Sequence, residues 1–295
     1  MIDQPSLSSP STWFGEPFAG LPDMHACAHL LAAVSGLFIA TVLIEALVRH
    51  FIARRRVDWR EVGVSLVDLG MRRSIDLAGL TLVSPIPLLA WHHRLGDIPM
   101  DSAWTWIGLY LLVEFAYYWH HRFAHTVRFF WATHAVHHSS NAYMFATAVR
   151  LGWTERLSGA ILFFSPLLFL GFPPSAVFGI FAAGLFYQFW LHNDWTPKLG
   201  PLERVLNTPR HHRVHHASNA EYLDCNYGNT LIVFDRLFGT FVEERDDIEI
   251  RYGLTTPVTS YNPLVVEFGQ WIAMGRDFFT ARGLRNRMKI LFGGP

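Results

Sequence analysis

The sequence predicts an all-α membrane protein, a bundle of about four to five apolar helices with a cytoplasmic, histidine-rich cap for two metal ions. Three observations support this fold class. Hydrophobic residues make up 51% of the 295 residues and charged residues only 16%, a balance that favours burial in a bilayer. Long apolar runs recur along the chain, and histidines follow these runs in clusters with helical spacing.

The overall charge and the cysteines exclude several other classes of protein. The formal net charge is zero, and the basic residues form no stripe of the kind that nucleic-acid backbones require. Nucleic acid is therefore not an expected partner. The two cysteines, Cys27 and Cys225, lie in an apolar run and beside a histidine cluster, so a disulfide framework is not expected either.

The N-terminal part of the chain is predicted to form a surface tail, residues 1–25, followed by membrane helices within residues 26–102. The tail is rich in serine and proline and lacks the basic start of a signal peptide. Residues 26–48 are apolar for long enough to cross a bilayer. Basic residues crowd the next segment, Arg49 to Arg60. By the positive-inside rule this segment is cytoplasmic and the N-terminus lies outside.

Four further apolar stretches extend the predicted bundle. Residues 67–91 carry charges near their start and two prolines near their end, so they either span with a kink or pack against the first helix. Residues 103–119 return inward and deliver His121 to the cytoplasmic face. Two shorter runs, 157–172 and 175–191, are joined by a Gly-Phe-Pro-Pro turn and predict a hairpin that spans or re-enters from the inside.

The histidine clusters are the strongest functional signal in the chain. On a helix, residues four apart leave the same face, and residues at i, i+3 and i+4 converge in the same way. Neutral imidazole is a common ligand of Fe, Zn, Cu and Ni, and one ion takes about four to six ligands. Two ions are therefore predicted for the eight histidines that have this spacing: His121 and His125; His134, His137 and His138; His212, His215 and His216.

The C-terminal residues 243–295 are predicted to be a separate tail after a metal domain at 103–242. A charged turn opens the tail, and a stretch of basic and apolar residues follows from about 265 to 292. Such a stretch is typical of an amphipathic helix on the cytoplasmic leaflet, or of a helix that caps the soluble face of the protein. The sequence favours neither.

The metal domain resembles a known family in the order and spacing of its motifs. The three histidine clusters resemble the three histidine boxes of the sterol desaturase/fatty acid hydroxylase superfamily. Asn226-Tyr-Gly228 and the stretch 234–240 resemble the closing signature of that superfamily. Within it, Leu191-His192 and the stretch 207–216 are most similar to the alkylglycerol monooxygenase group, including its bacterial members.

The resemblance implies a membrane-bound, non-haem di-iron oxygenase that hydroxylates an unactivated C–H bond of a lipid-like substrate with O2. Its ligands would be the eight clustered histidines and His192, which stands where the family has a lone histidine. By itself, His192 would more often be a polar residue at a helix end. Two electrons per turnover would come from a reduced pterin or a separate electron-transfer protein, because the chain has no nucleotide-binding motif, haem domain or iron–sulfur cysteine set.

Other functions are left open by the sequence. A lipid or sterol desaturase of the same build would use the same residues, because the outcome depends on very small differences in substrate placement. A membrane zinc hydrolase would need an H-E-x-x-H motif, which the chain lacks. A non-enzymatic metal or haem carrier would place its ligands along a path through the membrane rather than at one face.

Polar residues near the clusters are candidates for orienting the imidazoles. A metal-bound imidazole usually donates its second N–H group to an acceptor. Glu155, Asp224 and Asn226 are predicted to be such acceptors and to support catalysis in this way.

Four more residues, Asp235, Glu114, His120 and His211, are candidates for this second layer. Asp235 is a further candidate acceptor, although an ion pair between Asp235 and Arg236 is the expected structural role. Glu114 either orients an imidazole or makes a polar contact between helices. His120 and His211 each extend a cluster as a doublet and are expected to point away from the ligand face, into a second layer or into solvent.

Overall fold

The computed structural model describes residues 24–77, 85–155 and 158–295, and every structural statement below refers to these residues. The predicted tail lies outside them apart from its last two residues. The middle of the second predicted apolar run, residues 78–84, also lies outside them. Within the described residues the chain is helical and forms no strand, only two isolated bridges. The all-α part of the predicted fold class is therefore confirmed.

The N-terminal region contains three helices, α1 (Met24–Leu47), α2 (Trp59–Leu77) and α3 (Pro85–His92). A π-helical turn, Val48–Ile52, extends α1 and turns Arg49 inward. Arg49 pairs with Glu45 and with Asp194, each at 2.8 Å, and Glu45 also accepts a hydrogen bond from the backbone N–H of Phe145 at 2.7 Å. The C-terminal end of α1 thus contacts two later parts of the chain, at Phe145 and at Asp194.

The first two histidine clusters lie on helices that are almost continuous in sequence. Helix α4 (Ala103–Thr126) is capped by the Ser102 hydroxyl, which accepts from the Trp104 N–H at 3.2 Å. Helix α5 (Arg128–His138) follows after the single extended residue Val127. This sharp break folds α5 back so that its histidines face those of α4. The short helix α6 (Phe145–Val149) comes next.

The predicted hairpin has one short arm and one long arm. A 3-10 turn, Ala160–Phe163, and helix α7 (Ser165–Leu170) form the first arm, and helix α8 (Pro174–Leu191) forms the second. At about 1.5 Å per residue the first arm is too short to cross a bilayer of about 30 Å. The two predicted forms of the hairpin, spanning and re-entrant, stay predictions.

The C-terminal part surrounds the histidine-bearing helices. It contains α9 (Pro209–His215), α10 (Val233–Phe238), α11 (Pro263–Thr280) and α12 (Leu284–Phe292), with 3-10 turns at Gly200–Arg204 and Ala220–Tyr222. Helix α11 packs against α5, where Arg128 pairs with Asp277 at 2.6 Å and the rings of Phe129 and Trp271 meet edge to face. Helix α11 therefore packs on the helix that carries the second histidine cluster, and its two predicted roles, on the leaflet or over the soluble face, stay predictions.

Two hydrophobic clusters flank the histidines. One joins α4, α7 and α8 through residues such as Val113, Leu168 and Val177, all nearly inaccessible to solvent. The other joins α1, α2 and α6 through Val42, Val62 and neighbouring residues. Both bury apolar side chains between helices that are otherwise far apart in sequence, and this packing holds the histidine-bearing ends together.

Two helices are long and apolar enough to cross a membrane, His29–Ile52 and Pro174–Leu191. Their outer faces expose large apolar side chains, such as Leu30 and Ile44 on the first and Phe186 on the second. The sequence predicted four to five apolar helices. Among the described residues, only these two combine the necessary length and hydropathy.

Replacing Gly171 by alanine is expected to destabilise the hairpin. Gly171 has a φ of +110°, and an added Cβ would lie 1.9 Å from the carbonyl oxygen of Gly96. The strained conformation and the clash should together cost about 2 kcal/mol or more. Thermal unfolding of the detergent-solubilised protein would measure the loss as a lower Tm. Gly179→Ala on α8 is the matched control, because nothing lies within 4 Å of its added Cβ. An unchanged Tm for Gly171→Ala would contradict the close approach seen here.

Candidate metal centre

The nine histidines predicted as ligands gather in two groups, and within each group the ligand atoms lie within 4.8 Å of one another. We call the first group site A and the second site B. Site A contains His121, His125, His134, His138 and His215, and site B contains His137, His192, His212 and His216. All nine side chains are buried or half-buried. The lone histidine from the end of α8 therefore joins the clusters, as the family resemblance predicted.

Helix geometry explains how one cluster serves two sites. Each residue turns an α-helix by about 100°, so side chains at i and i+4 lie about 40° apart, whereas the i+3 side chain lies about 60° to the other side. On α5 the i, i+4 pair faces site A and His137 faces site B. On α9 the arrangement is reversed, with the i, i+4 pair in site B and His215 in site A. The two clusters thus interlock.

Main-chain carbonyl groups set the orientation of four imidazoles. His121 Nδ1 lies 2.9 Å from the oxygen of Tyr227, and His215 Nδ1 lies 2.8 Å from that of Cys225. In site B, His137 Nδ1 lies 3.0 Å from the oxygen of Arg150 and His192 Nδ1 2.7 Å from that of Gln188. A carbonyl oxygen can only accept, so these Nδ1 atoms carry the proton and each Nε2 keeps a free lone pair.

The free lone pairs point at one another. The Nε2 atoms of His137 and His192 are 3.1 Å apart, although both rings already donate through Nδ1. Two facing lone pairs repel unless a cation lies between them. Nitrogen ligands about 2.0–2.1 Å from a metal ion lie about 2.9–3.4 Å apart. The same spacing recurs between His192 and His212, at 3.1 Å, and in site A between His121 and His134, also at 3.1 Å.

Further polar atoms at the two sites have no partner in the protein. The Nε2 atoms of His125 and His215, in site A, are buried and make no hydrogen bond. A buried polar atom without a partner is costly, and in native proteins it usually faces a ligand or an ion. The donor set in both groups therefore fits two transition-metal ions bound only by imidazole.

The histidines have the protonation state that metal binding requires. Burial lowers the pKa of His137 to about 4. Burial, assisted by the neighbouring rings, also holds the pKa of His134, His138, His212 and His216 well below the usual range. These imidazoles are therefore neutral at pH 7, and neutral imidazole is the form that coordinates metal ions.

Two of the three predicted side-chain acceptors do not orient an imidazole. Asn226 donates its amide N–H groups to the carbonyl oxygens of His211 and Val242, at 3.1 and 2.8 Å, so its predicted role is wrong. Glu155 accepts from Arg72, and among the described residues no hydrogen bond joins it to an imidazole. Asp224, although mostly exposed, faces site A: its Oδ1 lies 3.7 Å from His125 Nδ1, and it opposes the lowering of the His125 pKa by burial. Main-chain oxygens, three from residues outside the helices and one from helix α8, orient four of the other rings.

Asp235 does not form the predicted ion pair with Arg236. Its buried carboxylate accepts from the backbone N–H groups of Tyr227 and Gly228, at 2.7 and 2.8 Å, and from the Thr240 hydroxyl at 2.7 Å. Arg236 instead lies over the ring of Phe241, 3.7 Å from its centroid. Asp235 thereby fixes the peptide group of the residue whose carbonyl oxygen binds His121.

Glu114 has a similar role, which neither sequence-based interpretation anticipated. Its carboxylate accepts from the Asn229 amide at 2.7 Å, from the Thr230 N–H at 3.0 Å and from the Leu231 N–H at 2.8 Å. It therefore binds the loop that follows Gly228 to helix α4, rather than an imidazole or another helix.

Arg150 and Gln188 were missed by the sequence reasoning. Arg150 is 2% exposed, and its guanidinium group donates to Ser65 at 3.1 Å, to the Glu61 carbonyl at 2.9 Å and to the Glu61 carboxylate. Its own carbonyl oxygen holds His137. A lone arginine in the apolar stretch after the second cluster was the available signal. Gln188, one turn before His192, orients that imidazole only through its main-chain carbonyl oxygen. The sequence carries no signal for a contact of this kind.

His120 and His211 lie outside both sites. Each is at least nine-tenths buried, so neither faces solvent. His120 packs beside Tyr117 and Phe163, and His211 packs edge to face against Phe241. The expectation that both point away from the ligand faces is confirmed.

The fold and the two sites define the class: an all-helical protein whose interlocked histidine clusters are suited to a pair of metal ions. Comparison with known protein families identifies one family that matches the chain. The fatty acid hydroxylase family matches residues 106–240, and the chain belongs to this family of the sterol desaturase superfamily.

Three relatives show how far the similarity extends. Alkylglycerol monooxygenase of Homo sapiens is 38% identical over 262 residues, covering 88% of this chain and 58% of that protein. The Danio rerio monooxygenase of the same name is 44% identical over 226 residues, covering 76% and 48%. Ornithine lipid hydroxylase OlsE of Rhizobium tropici is 27% identical over 240 residues, covering 77% and 71%. The chain spans about half the length of these monooxygenases. No solved structure matches the chain significantly.

Asp235→Asn is expected to weaken site A. An amide has one acceptor oxygen, so its NH2 group would face the N–H of Tyr227 or Gly228 and leave a buried donor unpaired, at about 1–3 kcal/mol. The displaced Tyr227 carbonyl should then hold His121 less firmly. Metal analysis of the purified variant should show less bound metal together with a lower Tm. Asp247→Asn removes an exposed pair with Arg245 and should change neither. Full metal content in Asp235→Asn would contradict this role.

Proposed function

We propose that this chain is a membrane-bound lipid hydroxylase, a monooxygenase that holds two non-haem iron ions in sites A and B. It would use O2 and electrons from outside to hydroxylate an unactivated C–H bond. Its relatives include proteins named alkylglycerol monooxygenase and ornithine lipid hydroxylase, which supports a lipid substrate. Because the chain spans only about half the length of these monooxygenases, the activity of the whole protein is a proposal.

One observation carries the metal part of the proposal, the facing Nε2 atoms of His137 and His192. Each ring donates its only proton to a carbonyl oxygen, and each is buried. Hydrogen bonding within the protein therefore cannot relieve the repulsion between their lone pairs. A bound cation relieves it and uses the whole donor set, since the other rings of site B lie at the same spacing.

The chemistry of the donors favours iron over the metals that prefer sulfur. Cys225 is free and buried, and its Sγ lies 3.1 Å from the Tyr222 carbonyl oxygen. Burial raises the pKa of its thiol, so it stays protonated and is no ligand. Neutral imidazole leaves the charge of an ion uncompensated. A pair of ferrous ions bound there would supply two electrons to the reduction of O2.

The protein's own residues would bind and place the substrate. Helix α4 carries apolar core residues at Leu109 and Val113, and its last two turns carry His121 and His125 of site A. A hydrocarbon chain lying along α4 and α8 would therefore end at the histidines. The tight packing of this apolar cluster would exclude water and hold one carbon close to the sites.

The proposed membrane arrangement places the histidines on the cytoplasmic face of a bacterial inner membrane or a membrane like that of the endoplasmic reticulum, with the N-terminus outside. Arg49 at the end of α1 pairs with Asp194, two residues after His192. The basic end of the first candidate span and the histidine end of α8 therefore lie together. By the positive-inside rule both face the cytoplasm. A separate cytoplasmic reductant, a reduced pterin or an electron-transfer protein, would then reach the sites.

Metal analysis is the first test of the proposed di-iron centre. The full chain, grown with iron-57 and purified in detergent, should contain about two irons that form one coupled pair in Mössbauer spectra. His192→Ala should lose iron, because His192 approaches three other rings of site B. His93→Ala is the control, since His93 is exposed and lies outside both sites. A single zinc ion, or haem, would overturn the di-iron proposal and favour a hydrolase or a carrier.

A product screen tests the reaction. The iron-loaded protein should convert alkylglycerols or ornithine lipids, supplied with a reduced pterin or an electron-transfer protein, to products that carry one oxygen atom from O2. Mass spectrometry after reaction under 18O2 would detect it. An alkene product without added oxygen would instead show a desaturase of the same build. Intact iron sites with neither product, across the lipids tested, would count against a lipid hydroxylase.

A further inference from the structure

Two fully buried carboxyl groups, Asp68 on α2 and Glu267 on α11, have oxygen atoms without partners. Both residues are 0% exposed. Neither oxygen of Asp68 makes a hydrogen bond, and neither does Oε2 of Glu267. The other oxygen of Glu267 accepts from the backbone N–H groups of Trp153 and Thr154, at 2.7 and 3.3 Å. Buried carboxylates left in this state are rare because they are costly, so they call for an explanation.

The surrounding charges do not neutralise this pair. Helix α2 contributes Glu61 and Arg72, and the loop 150–155 contributes Arg150 and Glu155. The guanidinium group of Arg150 pairs with Glu61, and that of Arg72 pairs with Glu155. Each cation is therefore already matched by one carboxylate.

Helix α5 also packs against α11, and its charged group there is Arg128, which pairs with Asp277 at 2.6 Å. Asp68 and Glu267 would thus add two uncompensated negative charges to the protein interior if both were ionised. At least one of the two carboxyl groups must hold a proton to avoid this cost.

The balance between the charged and protonated forms lies near neutral pH. Burial raises the pKa of Asp68 to about 7. The charge of Arg150 and the nearby indole N–H of Trp153, which has no hydrogen-bond partner of its own, lower this pKa, whereas the charge of Glu267 raises it further. Burial likewise raises the pKa of Glu267 to about 7, partly offset by the two backbone N–H groups. A small change in nearby charge would therefore move a proton onto or off this pair.

A single loop connects the pair to site B. The carbonyl oxygen of Arg150 accepts from His137, and the N–H groups of Trp153 and Thr154, three and four residues later, donate to Glu267. Glu155, at the end of the same loop, interacts electrostatically with both His137 and Glu267. The loop 150–155 therefore contacts both His137 of site B and Glu267 of the pair.

We propose that Asp68 and Glu267 together store one proton beside site B and release it when positive charge enters the histidine sites. Resting on the proposed function, this store would serve the hydroxylation R–H + O2 + 2e⁻ + 2H⁺ → R–OH + H2O. The external reductant supplies the two electrons, and one oxygen atom leaves as water. The pair would deliver one of the two protons and recover it from solvent.

Infrared spectroscopy of the full, detergent-solubilised chain tests the store without any turnover. The metal-free wild type at pH 7 should show the C=O stretch of a protonated carboxyl group. Labelling with 13C-aspartate or 13C-glutamate should shift this band and so assign it to the pair. Ferrous iron added without air should remove the band and release about one proton more than the double variant described next, measured in weak buffer.

The variants Asp68→Asn and Glu267→Gln, singly and together, complete the test. The double variant should bind the same amount of iron as the wild type, but it should show no band and lose the extra proton release. Asp277→Asn, on the same helix as Glu267 but exposed and paired with Arg128, should behave like the wild type and serves as the control. Iron binding also reports whether each variant is folded.

The proposal is overturned if the metal-free wild type lacks a protonated carboxyl band, or if the band persists after iron is bound. The wild-type experiment alone decides these points, so an unfolded double variant does not weaken the test. The result is also independent of the lipid reaction. A band that responds to iron in a protein that hydroxylates no lipid would support the store and reject the proposed function. Hydroxylation without the band would do the reverse.

Discussion

Buried imidazole lone pairs that face one another are the constraint on which the rest of this structure depends. Four rings donate their single proton outward, to the carbonyl oxygens of Tyr227, Arg150, Gln188 and Cys225. Their Nε2 lone pairs must then point inward, where no protein group can donate to all of them. Cations between these lone pairs would relieve their repulsion, and the main-chain segments that present the four carbonyl groups support the sites together with the histidines.

Carboxylates near the sites act on the backbone and not on the rings. Glu114 and Asp235 approach the loop 227–231 from opposite sides and fix it through its N–H groups. Arg150, buried through its contacts with Glu61 and Ser65, fixes the loop behind His137 in the same way. Negative charge therefore stays one layer outside the donor sets. Two ions held only by neutral nitrogen would keep their full positive charge.

The apolar cluster between helices α4, α7 and α8 adjoins the polar region that contains the histidines. Helix α4 belongs to the apolar cluster in its first half and to site A in its last turns, and α8 runs from that cluster to His192. The basic end of α1 meets the chain at Asp194, beside the same level. A substrate that is mostly hydrocarbon could thus stay in apolar surroundings while one of its carbons reaches the histidines.

The sequence alone determined that the protein is helical and that eight histidines share helical faces, because i, i+3 and i+4 spacing puts side chains on one face whatever the tertiary structure. The ninth, His192, has no such spacing and was predicted from the family resemblance. Only the tertiary structure decided how those histidines divide, since the division depends on how α5 and α9 are rotated about their axes. The groups that accept the imidazole N–H protons could not be predicted from the sequence either. Glu155 and Asn226 were plausible from their side chains, but every residue has a carbonyl oxygen, so a site built on main-chain acceptors leaves no mark in the sequence.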